Sequence, residues 1–146
     1  IFASFAAAPG PAPIAARQPA IDRCFAGDTV EAILDALERE AAGGGPDAEW
    51  AAATRAGLLT KSPTSLKLTL RQLITGRGFA IEDALTLEYR LTQHVMAGHD
   101  FYEGVRAALV DRDQHPRWDP PTLAAVNEAM VDSYFAPLGD AELRFD

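Results

Sequence analysis

From Asp28 to Leu37 the apolar positions fall at Val30, Ile33, Leu34 and Leu37, the three-and-four spacing of one helical face. Asp28 is placed to cap that helix, with Glu31 three residues on as in a capping box, and Gly43-Gly44-Gly45 ends it. A shorter Ala-rich helix holding Trp50 is predicted from Pro46 or Asp47 to about Gly57. Ser62-Pro63 is a start signal: the hydroxyl caps, and proline at the first helical position loses no hydrogen bond. Leu66, Leu70, Leu73 and Ile74 read as the buried stripe of the helix that follows, which Gly76 closes. The next helix, Ala80 to Ala97, has Ala84, Leu87, Leu91 and Val95 on one face with Ile81, Leu85 and Tyr89 beside them. So broad an apolar face predicts packing on two sides. After Gly98, Asp100 is placed to cap another helix, again with an acidic residue, Glu103, three positions on. Gly104 inside it costs about 1 kcal/mol relative to alanine, which points to a close backbone contact there. A loop through Pro116, Trp118, Pro120 and Pro121 then leads to a last helix, about Thr122 to Tyr134. No segment alternates as a strand would, and no period repeats. The pattern is all-α, with five or six helices.

Residues 1–20 stand apart. The apolar run Ile1–Ala8 lacks a basic flank and soon meets Pro9, Gly10, Pro11 and Pro13, which fits neither a signal peptide nor a membrane span. It reads as the end of an upstream helix followed by a Pro-rich connector, with the helical region at 21–146. An initial isoleucine implies a chain that starts partway into something longer or has been trimmed.

Composition narrows the function classes. Thirteen basic residues against 21 acidic ones give a formal charge of −8, which disfavours binding to nucleic-acid backbones but permits a local basic pocket. With 48% hydrophobic and 23% charged residues, the 146-residue chain has the make-up of a soluble globular protein. Cys24 is the only cysteine, so an intrachain disulfide is impossible and a reducing, cytoplasmic setting is expected.

Local catalytic signatures are missing: no nucleophile elbow, no H-E-x-x-H, no C-x-x-C and no phosphate loop. Gly76-Arg77-Gly78 follows a helix and lacks a third glycine, so it reads as a helix stop. His94 and His99 are five apart across Gly98, which is not a metal-ligand pair on one face, and no metal is expected. Cys24 reads as a small buried apolar residue. Lys67 and Arg71, four apart, read as a solvated helix face. Asp111, Asp113 and Asp119 surround Arg112 and Arg117. This is a partly self-neutralised loop, or one in which an arginine reaches a phosphate through its planar, always-charged fork.

Three stretches carry a resemblance. They are Ser62-Pro63-Thr64-Ser65-Leu66-Lys67 with Thr69 to Leu73; Leu87-Glu88-Tyr89-Arg90-Leu91; and Gly98 to Phe101 with Glu103 to Ala107, continuing to Asp111-Arg112-Asp113-Gln114, Pro116 and Trp118. In that order they resemble the C-terminal region of 3-hydroxyisobutyryl-CoA hydrolases, a branch of the crotonase (enoyl-CoA hydratase/isomerase) superfamily. Ile21 to Leu37 resembles the helix before it, and Leu138-Gly139 with Leu143-Arg144-Phe145 resembles that family's end. The resemblance implies a parent enzyme of valine breakdown that cleaves a CoA thioester. Its oxyanion hole and acidic residue would lie in an α/β core absent from this chain. No catalytic residue is therefore assigned, and Glu88, Glu103 and Asp100 are not promoted to that role. Where many enoyl-CoA hydratases carry a Lys-Arg pair, this chain has Asp111-Arg112, which looks like the hydrolase branch. Arg112, held in place by Asp111 and Asp113, is the expected contact to a CoA phosphate. The expected partners are the crotonase core of the same polypeptide, an acyl-CoA substrate and a second copy of the chain. CoA enters as part of the substrate, with no separate cofactor, nucleic acid or membrane. A hydratase or isomerase is the alternative within the superfamily, and a non-enzymatic helical interaction module the alternative outside it.

Overall fold

A computed structural model describes residue 10 and residues 12–145, so the run assigned to an upstream helix lies outside the described residues. The chain forms two compact units, Ile1–Ala56 and Gly57–Asp146.

In the first unit a 3₁₀ turn, Pro13–Arg17, leads into α1, Gln18–Cys24. The connector therefore ends in a helix. Pro19 occupies one of its first two positions, where the missing N–H has no intrahelical partner to lose. Next comes α2, Val30–Ala42, whose cap is Thr29 rather than Asp28: the Thr29 hydroxyl accepts from Ala32 N at 3.1 Å. Val30, Ile33, Leu34 and Leu37 are all buried, as the spacing predicts, with Ala20 and Cys24 of α1 among the buried residues of the same unit. Arg23 bonds Glu40 at 2.9 Å, which ties α1 to the end of α2. Then α3 runs over Ala48–Leu59, its last three residues counted with the second unit, with Ala51 fully buried.

The second unit carries the remaining helices. α4 spans Pro63–Thr75 and α5 Ile81–Ala97, followed by α6, His99–Val105. α6 continues into a single π-helical turn, Arg106–Val110, and the last helix is α7, Glu128–Phe135, capped by Asn127. The core of this unit is Leu68 with Val126 and Val131, joined by Val95, Tyr134 and Phe135. α4 thus turns Leu68 inward, while Leu73 is 69% and Ile74 44% exposed, against the stripe expected for it. Leucines on both sides of α4 leave two faces open, and packing on α7 decides between them. α5 buries Leu87 and Leu91 as expected, but Ile81 and Leu85 beside them stay exposed, so one side of its broad face is packed.

The count of five or six helices is corrected: the described residues hold seven α-helices and no strand. The all-α class itself meets a physical objection. An independent helical domain buries its apolar stripes against other layers, whereas here Leu73, Ile81, Leu109 and Val110 are each about two-thirds exposed. Among the described residues no helix is long and apolar enough to cross a membrane.

Candidate functional site

The loop between α6 and α7, residues 111–121, is fixed from three directions. Ser62 is buried at the start of α4; its hydroxyl accepts from Ser65 N at 3.1 Å and donates to Asp100 Oδ2 at 2.5 Å. Ser62 is the cap expected there. Asp100 lies in the first turn of α6, whose cap position is Gly98. Its carboxylate reaches away from the helix: Oδ1 accepts from Asp119 N at 2.9 Å and lies 3.1 Å from His99 Nδ1. Trp118 donates its indole N–H to Thr60 O at 3.1 Å, and its ring faces Gly104. A Cβ built there would stand 3.4 Å from Trp118 Cη2 and 3.6 Å from Cζ3. The close backbone contact expected at Gly104 is not found: its neighbour is a loop tryptophan side chain at ordinary van der Waals distance.

Arg106 is the centre of the site. Its Nε and Nη2 form a fork onto the two oxygens of Glu103, at 2.9 and 2.8 Å, the bidentate geometry that makes such pairs strong. Nη1 donates to both Asp111 Oδ2, at 2.6 Å, and Asp113 Oδ2, at 2.7 Å, and Nη2 also reaches His115 O at 3.2 Å. Glu103 Oε1 accepts in addition from Arg117 N at 2.7 Å. One guanidinium and one carboxylate thereby set the path of residues 111 to 117. The hydrogen bonds from Arg106, and then that from Arg117 N, pull the Glu103 carboxyl down to a pKa of about 2. Asp113 is lowered by Arg106 and by His115 N, and Arg106 is raised above its ordinary value chiefly by Glu103. Glu103 is ionised near neutral pH with both oxygens engaged, so it is poorly placed to shuttle a proton.

Asp111 and Asp113 hold Arg106, not Arg112 as the sequence suggested. Arg112 is exposed, its Nε donates to Leu109 O at 3.2 Å, and its φ is +57°. Gln114 also has a positive φ, +58°. A left-handed position after a helix usually falls to glycine, and an L-residue with a Cβ costs roughly 1–2 kcal/mol there. The sequence signal for the Glu103–Arg106 pair was present, since three-residue spacing on a helix makes neighbours. The reach to Asp111 and Asp113 was not legible, because the first depends on the π-helical turn that ends at Asp111 and the second on the left-handed Arg112 between them.

The other sequence candidates settle elsewhere. Lys67 donates to Val126 O at 3.0 Å, and Arg71 bonds Asp132 at 2.5 Å while lying 4.6 Å over the Phe135 ring, so both tie α4 to the α7 region instead of forming a solvated face. His94 Nε2 lies 3.0 Å from Ala136 O, and His115 Nδ1 contacts Asp113 O. Arg90 pairs with Glu142 at 3.0 Å. The Glu142 carboxyl is lowered first by Leu138 N and then by Arg90. A cleft of about 370 Å³ is lined by Arg71, Phe79, Asp83, Arg90 and Phe135, but both its arginines are already paired with carboxylates. Cys24 is 1% exposed, and burial raises its thiol pKa. Among the described residues no group of three or more His, Cys, Asp or Glu could hold a metal ion.

Comparison with known proteins places these features in context. Residues 1–135 match the family described as enoyl-CoA hydratase/isomerase. The mitochondrial 3-hydroxyisobutyryl-CoA hydrolase of Rattus norvegicus is 47% identical over 126 residues, 86% of this chain and 31% of that protein. The Xenopus laevis protein of the same name is 43% identical over 141 residues, 97% of this chain and 35% of its own. The chain therefore spans about a third of the length of these relatives. A carnitinyl-CoA dehydratase from Mycobacterium thermoresistibile superposes with a TM-score of 0.81 and 40% identity, covering 96% of this chain and 38% of that one. For an enoyl-CoA hydratase from Rhodobacter sphaeroides the values are 0.78 and 38%, over 99% of this chain and 42% of that one. This overturns the all-α class set apart from an α/β core. Nearly the whole chain superposes on crotonase-type structures, so its helices take the class of that architecture, consistent with apolar faces that do not close on one another.

Proposed function

We propose, from the premise that this chain belongs to the enoyl-CoA hydratase/isomerase (crotonase) family, that it serves a CoA-thioester hydrolase acting on 3-hydroxyisobutyryl-CoA. The observation that carries this reading is the 40–47% identity to hydrolases of that name along 85–97% of the chain. The two solved structures with dehydratase and hydratase titles stand at 38–40%. In this reading the helices act as scaffold and contribute no residue to the reacting centre. Their exposed apolar faces dock on the crotonase core of the same polypeptide. Arg112, exposed on a braced loop, contacts a phosphate of CoA, a contact that a planar, permanently charged fork suits.

The test is release of free thiol from 3-hydroxyisobutyryl-CoA, measured for the 146-residue chain and for the full natural polypeptide that carries it. Turnover by the full polypeptide with none by the 146-residue chain is the expected pair of results. Hydration of an enoyl-CoA without thioester cleavage would replace the hydrolase reading with a hydratase. Thiol release by the 146-residue chain alone would refute the scaffold role.

A further inference from the structure

We propose that Arg106 is a positioning residue for Arg112: it holds the carboxylates of the residues on both sides of Arg112 and so fixes the direction in which that exposed guanidinium meets the substrate's phosphates. This rests on the reading of Arg112 as the phosphate contact.

The residues on either side of Arg112 bond one atom, Arg106 Nη1: Asp111 Oδ2 at 2.6 Å and Asp113 Oδ2 at 2.7 Å. The chain enters the clamp through a π-type bond, Asp111 N to Arg106 O at 2.8 Å, and leaves it through Gln114 N to Ala107 O at 3.1 Å. Arg112 sits inside this closure in the left-handed conformation. Such strained positions persist where the surroundings over-determine them, and they cluster at ligand clamps. Arg112 itself makes no ion pair with either acidic neighbour, because both are held by Arg106. Its Nε, one corner of the guanidinium, donates to Leu109 O, which leaves the two Nη groups to meet an anion. A preorganised cation loses less freedom on binding an anion than a floppy one, so the clamp acts on affinity.

The test uses the full natural polypeptide and two substrates, the CoA thioester and the matching pantetheine thioester, which lacks the nucleotide phosphates. Arg112→Ala is expected to raise KM for the CoA thioester about 10-fold or more, as for a lost hydrogen bond to a charged group, with no comparable rise for the pantetheine thioester. Arg106→Lys, which keeps the charge but loses the fork, is expected to raise KM for the CoA thioester several-fold in the same phosphate-dependent way. Added to Arg112→Ala, it should produce little further phosphate-dependent loss. Should Arg106→Lys fail to fold, Asp111→Asn with Asp113→Asn weakens the same clamp from its loop side, and the same pattern is expected. If Arg112→Ala has no phosphate-dependent effect, the contact is absent and the inference falls with it. If Arg112→Ala acts but the clamp variants penalise both substrates alike, change neither, or add fully to Arg112→Ala, the contact stands and the positioning role is refuted.

Discussion

Replacing Gly104 by alanine and by valine separates two effects that oppose each other at one position. Helix propensity favours either substitution, by about 1 kcal/mol for alanine and less for valine. The Cβ common to both would lie 3.4 Å from Trp118 Cη2 and 3.6 Å from Cζ3, ordinary van der Waals contact. Gly104→Ala is therefore expected to be neutral or to stabilise by about 0.5–1 kcal/mol. Valine adds two γ carbons held by a strong rotamer preference, and the space beyond the Cβ is occupied by the indole. Overpacking of that kind costs about 1–3 kcal/mol. Moving the ring also stretches the 3.1 Å bond from Trp118 Nε1 to Thr60 O, worth about 0.5–1.5 kcal/mol. Gly104→Val should accordingly be about 1–3 kcal/mol less stable than the natural chain and lower still relative to Gly104→Ala. Urea unfolding followed by tryptophan fluorescence, with near-ultraviolet circular dichroism reporting the indole environment, measures both differences. Valine matching alanine in stability, with the tryptophan signal unchanged, would show that the Trp118 ring does not lie over Gly104.

Three further outcomes are expected. Glu103, Asp113 and Glu142 have depressed carboxyl pKa values, so their contribution to stability is complete above the ordinary carboxylate pKa of about 4. It is lost as pH falls toward about 2, the value for Glu103, and a melting temperature that is flat from pH 5 to pH 2.5 would contradict these pairs. Ser62→Ala removes an N-cap and leaves Asp100 Oδ2 without its hydroxyl donor, and should cost about 1–3 kcal/mol in chemical denaturation. A loss below about 0.5 kcal/mol would mean that water replaces the serine. Cys24 should resist a water-soluble thiol reagent in the native chain and react fully in denaturant, since it is buried and its thiol is disfavoured from ionising. Rapid native labelling would place it at the surface.

The parts of the fold legible in the sequence are those where one face of one helix suffices. Val30, Ile33, Leu34 and Leu37 offer α2 a single apolar stripe, and all four are buried. Ser62-Pro63 starts α4 because both signals act within three residues. The inward face of α4 was misread because leucines lie on more than one side of it, and only its neighbours choose Leu68. Capping failed in a similar way: Asp28 and Asp100 have suitable chemistry, but Thr29 and Gly98 occupy the cap positions. At the site, Arg112 drew attention through its acidic neighbours, yet their carboxylates turn to Arg106, five and seven residues back. Sequence spacing cannot report that reach, because a π-helical turn places Asp111 and a left-handed Arg112, a conformation most residues avoid, places Asp113.

The π-helical turn from Arg106 to Val110 has an evolutionary consequence. A π turn holds one residue more than the α-helical path, and here Asp111 meets both the carbonyl and the guanidinium of Arg106. Dropping one residue between Arg106 and Val110 would restore the α-helical spacing, but the loop would then leave the helix one step earlier, about 100° around its axis. Asp111 and Asp113 would swing off their common nitrogen, and the bonds to Arg117 N, Trp118 Nε1 and Asp119 N would fall out of register. Point changes along this stretch can be absorbed one bond at a time, whereas a change of length breaks the whole set at once. Selection should therefore treat residues 103 to 119 as a single word, open to respelling but not to adding or losing a letter.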